Sequence, residues 1–166
     1  RTPRDEAGKY IRLFVLVNDS TLRTVFADQV AKGYGIYHGK LLVTLSPVAV
    51  TPDELGEAWD GAKLSLPLEC RINDHLLGMP NTGVDMYFDF PTIISRATTM
   101  RGLPAGTVLG SGTISNHDRA AGFACIAEQR MVETIDHGKP RTEYLKPGDR
   151  VSIEMKDRDG NSIFGA

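Results

Sequence analysis

"KLSLPLECRINDHLLGM", residues 63–79, decides the fold class of this chain. Leu64, Leu66, Leu68 and then Cys70 alternate with other residues at the two-residue period of a strand that turns one face to a core. Asn73-Asp74 then breaks the run with two residues that tolerate left-handed backbone, so the pattern predicts a hairpin. Working outward, "GTVLGSG" (106–112), "FACIAEQRMVETI" (123–135) and "RVSIEMKDRDGNSIFGA" (150–166) also read as strand material. "KPGDR" (146–150) and "RDGN" (158–161) carry the Pro, Asp and Gly chemistry of tight turns. Towards the other end, "YIRLFVLVND" (10–19) predicts a buried strand, and "GKLLVTLSPVAV" (39–50) a second one that Pro47 places at an edge or bulge.

Helices are few and short. "TPRDEA" (2–7) predicts a helix start with Thr2 as cap, and "STLRTVFADQVAKG" (20–33) has helical spacing closed by Gly33. "TPDELGEAWDG" (51–61) offers Thr51 and Glu54 in capping-box positions. "FPTIISRATTM" (90–100) predicts a helix capped by Asp89 and ended by Gly102. Helices do not alternate with strands, which excludes a doubly wound sheet. The expectation is a mostly β, α+β chain.

With 166 residues, one domain over 1–166 with its own core is expected. A net charge of −2 with 24% charged residues gives no electrostatic case for nucleic acid or an anionic membrane surface. "LFVLV" is far too short to span a bilayer, and the charged start lacks a signal peptide. Cys70 and Cys125 lie outside any zinc spacing and read as free thiols of a cytoplasmic protein, with a single disulfide as the other possibility. The chain lacks an initiating Met and ends in an apolar stretch, so it reads as a piece of a longer protein.

"GTVLGSGTISN" (106–116) raises the question of ligand binding. No Lys follows Gly112, which excludes a P-loop, and Ser115 stands where a dinucleotide fingerprint needs its third glycine. Either the stretch is a tight turn, or its amides and the Thr113 hydroxyl face a small anionic or carbonyl ligand. Asp19 closes an apolar strand as a helix-capping residue or as an oxygen ligand for a hard cation. Arg23, four residues on, would share a helical face with it. Lys40 is either solvated or placed to stabilise negative charge. Glu128 sits on the face of Ile126 in the predicted strand, as a half-buried candidate for orienting or acting as a general base, or faces solvent beside Arg130. His38, His75, His117 and His137 form no catalytic signature.

"VLVNDSTLR" (15–23), "GK" (39–40), "SPVAVTPDELG" (46–56), "GSGTIS" (110–115), "CIAEQRMVETI" (125–135), "YLKPGDRV" (144–151) and "FGA" (164–166) occur in the order found in the fumarylacetoacetate hydrolase family. The chain resembles that family's carboxyl-terminal half. The resemblance implies a mixed β-roll or distorted barrel and hydrolysis of a carbon–carbon bond in a β-diketone or acylpyruvate, fumarylacetoacetate of tyrosine catabolism above all. It implies Mg²⁺ or Ca²⁺, a small keto-acid substrate and a homodimer. Asp19 would be a metal ligand, with Lys40 beside metal and substrate carbonyl and Thr44 near a second cation. Arg23 would polarise the carbonyl, Thr113 with Ser111 and Gly112 would bind substrate, and Glu128 would orient water together with a histidine. The family's Glu-x-Glu metal pair and that histidine belong upstream of Arg1, Phe26 stands where many members carry glutamine, and the link from Asn116 to Gly122 is short. Relatives run hydration, decarboxylation or isomerisation, and a non-catalytic β-rich module is the reading from another class.

Overall fold

The computed structural model describes residues 1–165, apart from the side chain of Leu41; Ala166, the last residue of the "FGA" landmark, lies outside the described residues. The hairpin forms where the alternation predicts it. β3 (Glu69–Ile72) pairs antiparallel with β4 (His75–Gly78), and Ile72 lies opposite His75. Asn73 and Asp74 take φ 49 and φ 69, the left-handed pair that turns a two-residue hairpin with the natural strand twist. β5 (Val151–Glu154) adds to the other edge of β3, giving the order β4-β3-β5. Asn73 stitches turn to strand, because its backbone N–H donates to Arg150 O and its amide donates to Asp149.

The alternation also sorts inside from outside. Leu64, Leu68 and Cys70 are buried with Phe14, Leu55, Met155 and Phe164 in one core cluster. Phe14 bridges to Val50 and packs its ring against Trp59 at 4.8 Å and Phe90 at 5.3 Å. Cys70 and Cys125 are both free thiols, as the sequence suggested. Burial pushes the Cys70 thiol up to about 11, with the neighbouring Glu69 charge adding to it.

A second sheet has two strands, β1 (Val17–Thr21) and β2 (Lys40–Leu45), paired antiparallel with Asn18 opposite Thr44 and Asp19 opposite Val43. Of the strand expected over 10–19, only Val17–Asp19 lie in β1, with Phe14 making an isolated bridge to Val50 before it. α1 (Arg4–Ala7) begins after Pro3 rather than Thr2 and packs on α3 (Phe90–Ala97), with Arg4 paired to Asp89. Asp89 caps α3 as expected, accepting from Thr92 N at 2.8 Å, although the helix stops at Ala97, short of Gly102. α2 (Arg23–Ala31) matches its helical spacing. Residues 52–58 form a 3-10 turn kinked at Gly56, and Thr51 makes no side-chain capping hydrogen bond.

Two strand expectations fail. Residues 106–112 carry no ladder, and residues 126–137 form α4 (Ile126–His137), the longest helix among the described residues. The strand character of "FAC" is real for a moment, since Gly122 bridges to Gly78. Beyond it, Ala, Glu, Gln, Arg and Met are strong helix formers, and Gly138 at φ 76 closes the helix with a bond to Thr134 O. The chain is mixed α and β, with small sheets and no closed barrel among the described residues.

Candidate functional site

Lys40 owes its position to α2. Buried Gln29 accepts hydrogen bonds from His38 N at 3.0 Å and Gly39 N at 3.1 Å, and Leu22 N donates to Gly39 O at 2.7 Å. A side chain at Gly39 would press on Phe26, its Cβ lying 3.2 Å from the Phe26 Cα, so a glycine precedes the lysine for reasons of space. Lys40 Nζ donates to Asp19 Oδ2 at 2.6 Å and to Thr21 Oγ1 at 3.2 Å. Asp19 therefore pairs across the sheet with Lys40. The helical pair with Arg23 does not form, because Asp19 lies in β1 and the helix begins only at Arg23.

Thr44 lies elsewhere. Directly paired residues share a face and successive residues alternate, so Thr44, opposite Asn18, points to the other side of the sheet from Asp19. No group of three or more His, Cys, Asp or Glu among the described residues could hold a metal ion. Asp19 supplies one carboxylate, already engaged by an ammonium, whereas Mg²⁺ and Ca²⁺ take six or more oxygen ligands. The donors described here do not make up a metal site.

Arg23 reaches a different neighbour. Its Nη2 lies 3.9 Å from Cys125 Sγ, and its guanidinium stands 5.6 Å from the Phe26 ring and 5.9 Å from Tyr144. Arg130 covers Tyr144 at 4.2 Å. Among the described residues Arg23 has no carboxylate at ion-pair distance. Phe26, at the glutamine position noted above, thus packs against a cation and offers no polar contact.

Cys125 is the cap residue of α4, and Glu128 lies in the first turn of that helix. Glu128 does not sit on a strand, so its burial comes from helical packing. Its Oε1 accepts a hydrogen bond from Ser115 Oγ, while Oε2 is buried with no partner. A buried acceptor without a donor is costly and marks a place where a ligand or water fits.

Ser115 also belongs to the wall of a cavity of about 240 Å³ that includes Ser111, Thr113, Asp85, Tyr87 and Phe88. Its two walls are tied together: Asn81 N donates to Asn116 Oδ1 at 2.7 Å, and His117 N donates to Asp85 Oδ2 at 2.9 Å. Ser111, Gly112 and Thr113 are exposed in an irregular segment, and Gly112 takes φ 85. Sequence reasoning picked Ser111 and Thr113 but missed Asp85, Tyr87, Phe88 and Ser115. The "DMYFDF" run (85–90) held the only signal for the first three, an acid among aromatics just before a helix. Of the histidines, His117 stands fully in solvent beside Asp85.

The predicted residues therefore fall into two groups with a seam. Asp19 and Lys40 hold each other on β1 and β2. Glu128, Ser115 and Thr113 cluster at the start of α4 and the cavity. Arg23 touches the cap of the helix that carries Glu128, and no hydrogen bond among the described residues joins Lys40 to Glu128 or Thr113.

No curated protein matches this chain. The family model described as fumarylacetoacetate (FAA) hydrolase C-terminal matches residues 1–163, so nearly every residue discussed above falls within it. The chain belongs to the fumarylacetoacetate hydrolase family, through the carboxyl-terminal part that this model describes.

Proposed function

We propose that this chain contributes the base and the fixed positive charge for hydrolysis of a carbon–carbon bond in a β-diketone acid, an acylpyruvate or fumarylacetoacetate. Family membership supports an enzyme of the hydrolase or decarboxylase type. The observation that carries the hydrolytic reading is Glu128, with one oxygen held by Ser115 and the other buried without a partner in the first turn of the helix whose cap Arg23 touches. In the reaction, water bonds through its oxygen to the carbonyl carbon while Glu128 Oε2 takes its proton. The adjacent carbon–carbon bond breaks, its electron pair leaves as an enolate, and the enolate receives that proton. Arg23 would meet the growing negative charge with a cation already in place, and Lys40 would add a second from its position beside Asp19, which lowers the barrier more than the same charges would in water. Thr113 offers a hydroxyl to a substrate oxygen. Family members commonly use divalent metals, but the described residues offer only the Asp19 carboxylate, already engaged by Lys40, and no step here runs through such an ion.

The test is the loss of the enol absorbance of an acylpyruvate and of fumarylacetoacetate, with the purified protein and its Glu128→Gln variant. Removing a general base costs about 10² to 10⁴ in rate. Equal turnover by the two proteins refutes the assignment. Carbon dioxide release without chain cleavage refutes hydrolysis in favour of decarboxylation.

A further inference from the structure

The geometry points to Asp85 as a residue that selects the substrate: its carboxylate lines the Thr113 cavity and reserves it for an uncharged acyl tail, so that the substrate is a keto acid with a single carboxylate. This inference rests on the hydrolase reading above and narrows it.

The two ends of the site differ in charge. At the cap of α4 stands Arg23, 3.9 Å from Cys125 Sγ and, among the described residues, with no carboxylate at ion-pair distance, while Lys40 follows α2 at the start of β2 and is held by Asp19. On the other side, beyond Ser115, the cavity wall carries Asp85 with the aromatic rings of Tyr87 and Phe88 and the side chain of Ile114. The two rings pack edge to face at 4.8 Å. No Lys or Arg is among the residues described as lining this cavity, and the His117 ring, open to water, stands 4.0 Å from Asp85.

Asp85 is not free to swing out of the way. Its Oδ2 accepts the His117 backbone N–H, and its side chain is only 24% exposed. A second carboxylate entering the cavity would meet a fixed like charge, and such contacts discriminate between ligands. An alkyl or vinyl tail would instead lie against Tyr87, Phe88 and Ile114. The volume of about 240 Å³ is sufficient for a short acyl chain only. A singly charged diketo acid would therefore orient itself, carboxylate toward Arg23 and tail toward the rings. A dicarboxylate such as fumarylacetoacetate, charged at both ends, would fit poorly in either direction.

The experiment compares kcat/KM for two 2,4-diketo acids of equal length, one ending in an alkyl group and one in a carboxylate. The wild-type protein is expected to prefer the alkyl-ended acid by about tenfold or more, and Asp85→Asn to erase most of that preference. Asparagine keeps an oxygen for the His117 N–H, and a melting curve checks that the variant folds. Should it not fold, the wild-type ratio alone decides, and a preference for the carboxylate-ended acid overturns the proposal. Cleavage of both acids with the same ratio in wild type and Asp85→Asn overturns the role of Asp85 while leaving the hydrolase reading intact. Cleavage of neither overturns both.

Discussion

Gly78→Ala should unfold this protein more easily than almost any other single methyl addition. A Cβ at Gly78 would lie 2.1 Å from Phe123 N, 2.6 Å from Gly122 C and 2.7 Å from Phe123 O, all backbone atoms. Moving out to the 3.4 Å of ordinary contact requires a shift of about 1.3 Å between β4 and residues 122–123. Two backbone hydrogen bonds span that gap, Phe123 N to Leu77 O at 3.2 Å and Met79 N to Ala121 O at 2.7 Å. Losing both costs about 1 kcal/mol each, and the overpacking adds about 1–3 kcal/mol. The sum is roughly 3–5 kcal/mol, which for a chain of this size lowers the melting temperature by roughly 6–20 °C.

Thermal unfolding followed by far-ultraviolet circular dichroism measures this directly. Gly102→Ala is the control, because nothing lies within 4 Å of its Cβ and its φ is not positive. That change should leave stability equal or raise it by about 0.4–1 kcal/mol through the unfolded chain. Residues 122–123 lead into α4, so the shift at residue 123 would also move Cys125 and Glu128, and displacements of about 1 Å can cost 10²-fold in rate. A Gly78→Ala protein that melts within about 2 °C of wild type refutes the close approach, and with it the anchoring of α4 on the sheet.

Glu133 in α4 accepts from Thr142 Oγ1 at 2.5 Å, Arg141 N at 2.6 Å and Thr142 N at 2.8 Å. These bonds, the Thr142 hydroxyl foremost, hold its carboxyl down at about 2. The folded value lies below the unfolded one, so this tether is complete at neutral pH and is lost as pH falls from about 4.5 towards 2. Carbon NMR of the Glu133 carboxyl should titrate near 2, and a midpoint at or above 4 refutes the tether. Lys40→Met should lower activity by about 10²-fold or more but change stability by less than about 1 kcal/mol, because the Lys40–Asp19 pair is half open to water. Denaturant melts and kinetics on the same sample separate the two, and a stability loss above about 2 kcal/mol with unchanged rate refutes the assignment. Cys70, buried and with its thiol pushed up to about 11, should resist aromatic disulfide reagents in the native protein while half-buried Cys125 reacts. Two equally fast thiols would refute that burial.

The hairpin was legible because everything that fixes it is local: a period of two, then Asn73 and Asp74 where left-handed backbone was needed. The same holds for Asp89, whose partner Thr92 is three residues away. α4 was misread because apolar Phe123, Cys125 and Ile126 open the segment, and the first of these does lie beside β4 through its bond to Leu77. Glu128, Gln129 and Arg130 in succession, and Gly138 after His137, were the available signs of a helix. The ligand cavity was hidden for another reason. Its defining contacts join Asp85 to His117, Ser115 to Glu128 and Arg23 to Cys125, separations of 32, 13 and 102 residues that no local pattern encodes. The ordered family motifs supplied Arg23, Thr113 and Glu128, whereas Asp85 had to wait for the fold.

That Glu128 lies on a helix rather than a strand changes what its chemistry can be. On a strand, Cys125 and Glu128 would face opposite sides of the sheet. Here Cys125 caps α4 with extended backbone and Glu128 lies three residues on in the first turn, so both belong to one helix end. Arg23, in contact with Cys125, therefore stands at the end of the helix that carries the carboxylate. The two do not collapse into an ion pair, because Ser115 occupies one carboxylate oxygen and the Phe26 and Tyr144 rings flank the guanidinium. A carboxylate with one unpartnered oxygen and a cation that, among the described residues, has no carboxylate at ion-pair distance then stand at the same helix end. That is the separation of charges a diketone needs as water attacks one end and negative charge gathers at the other.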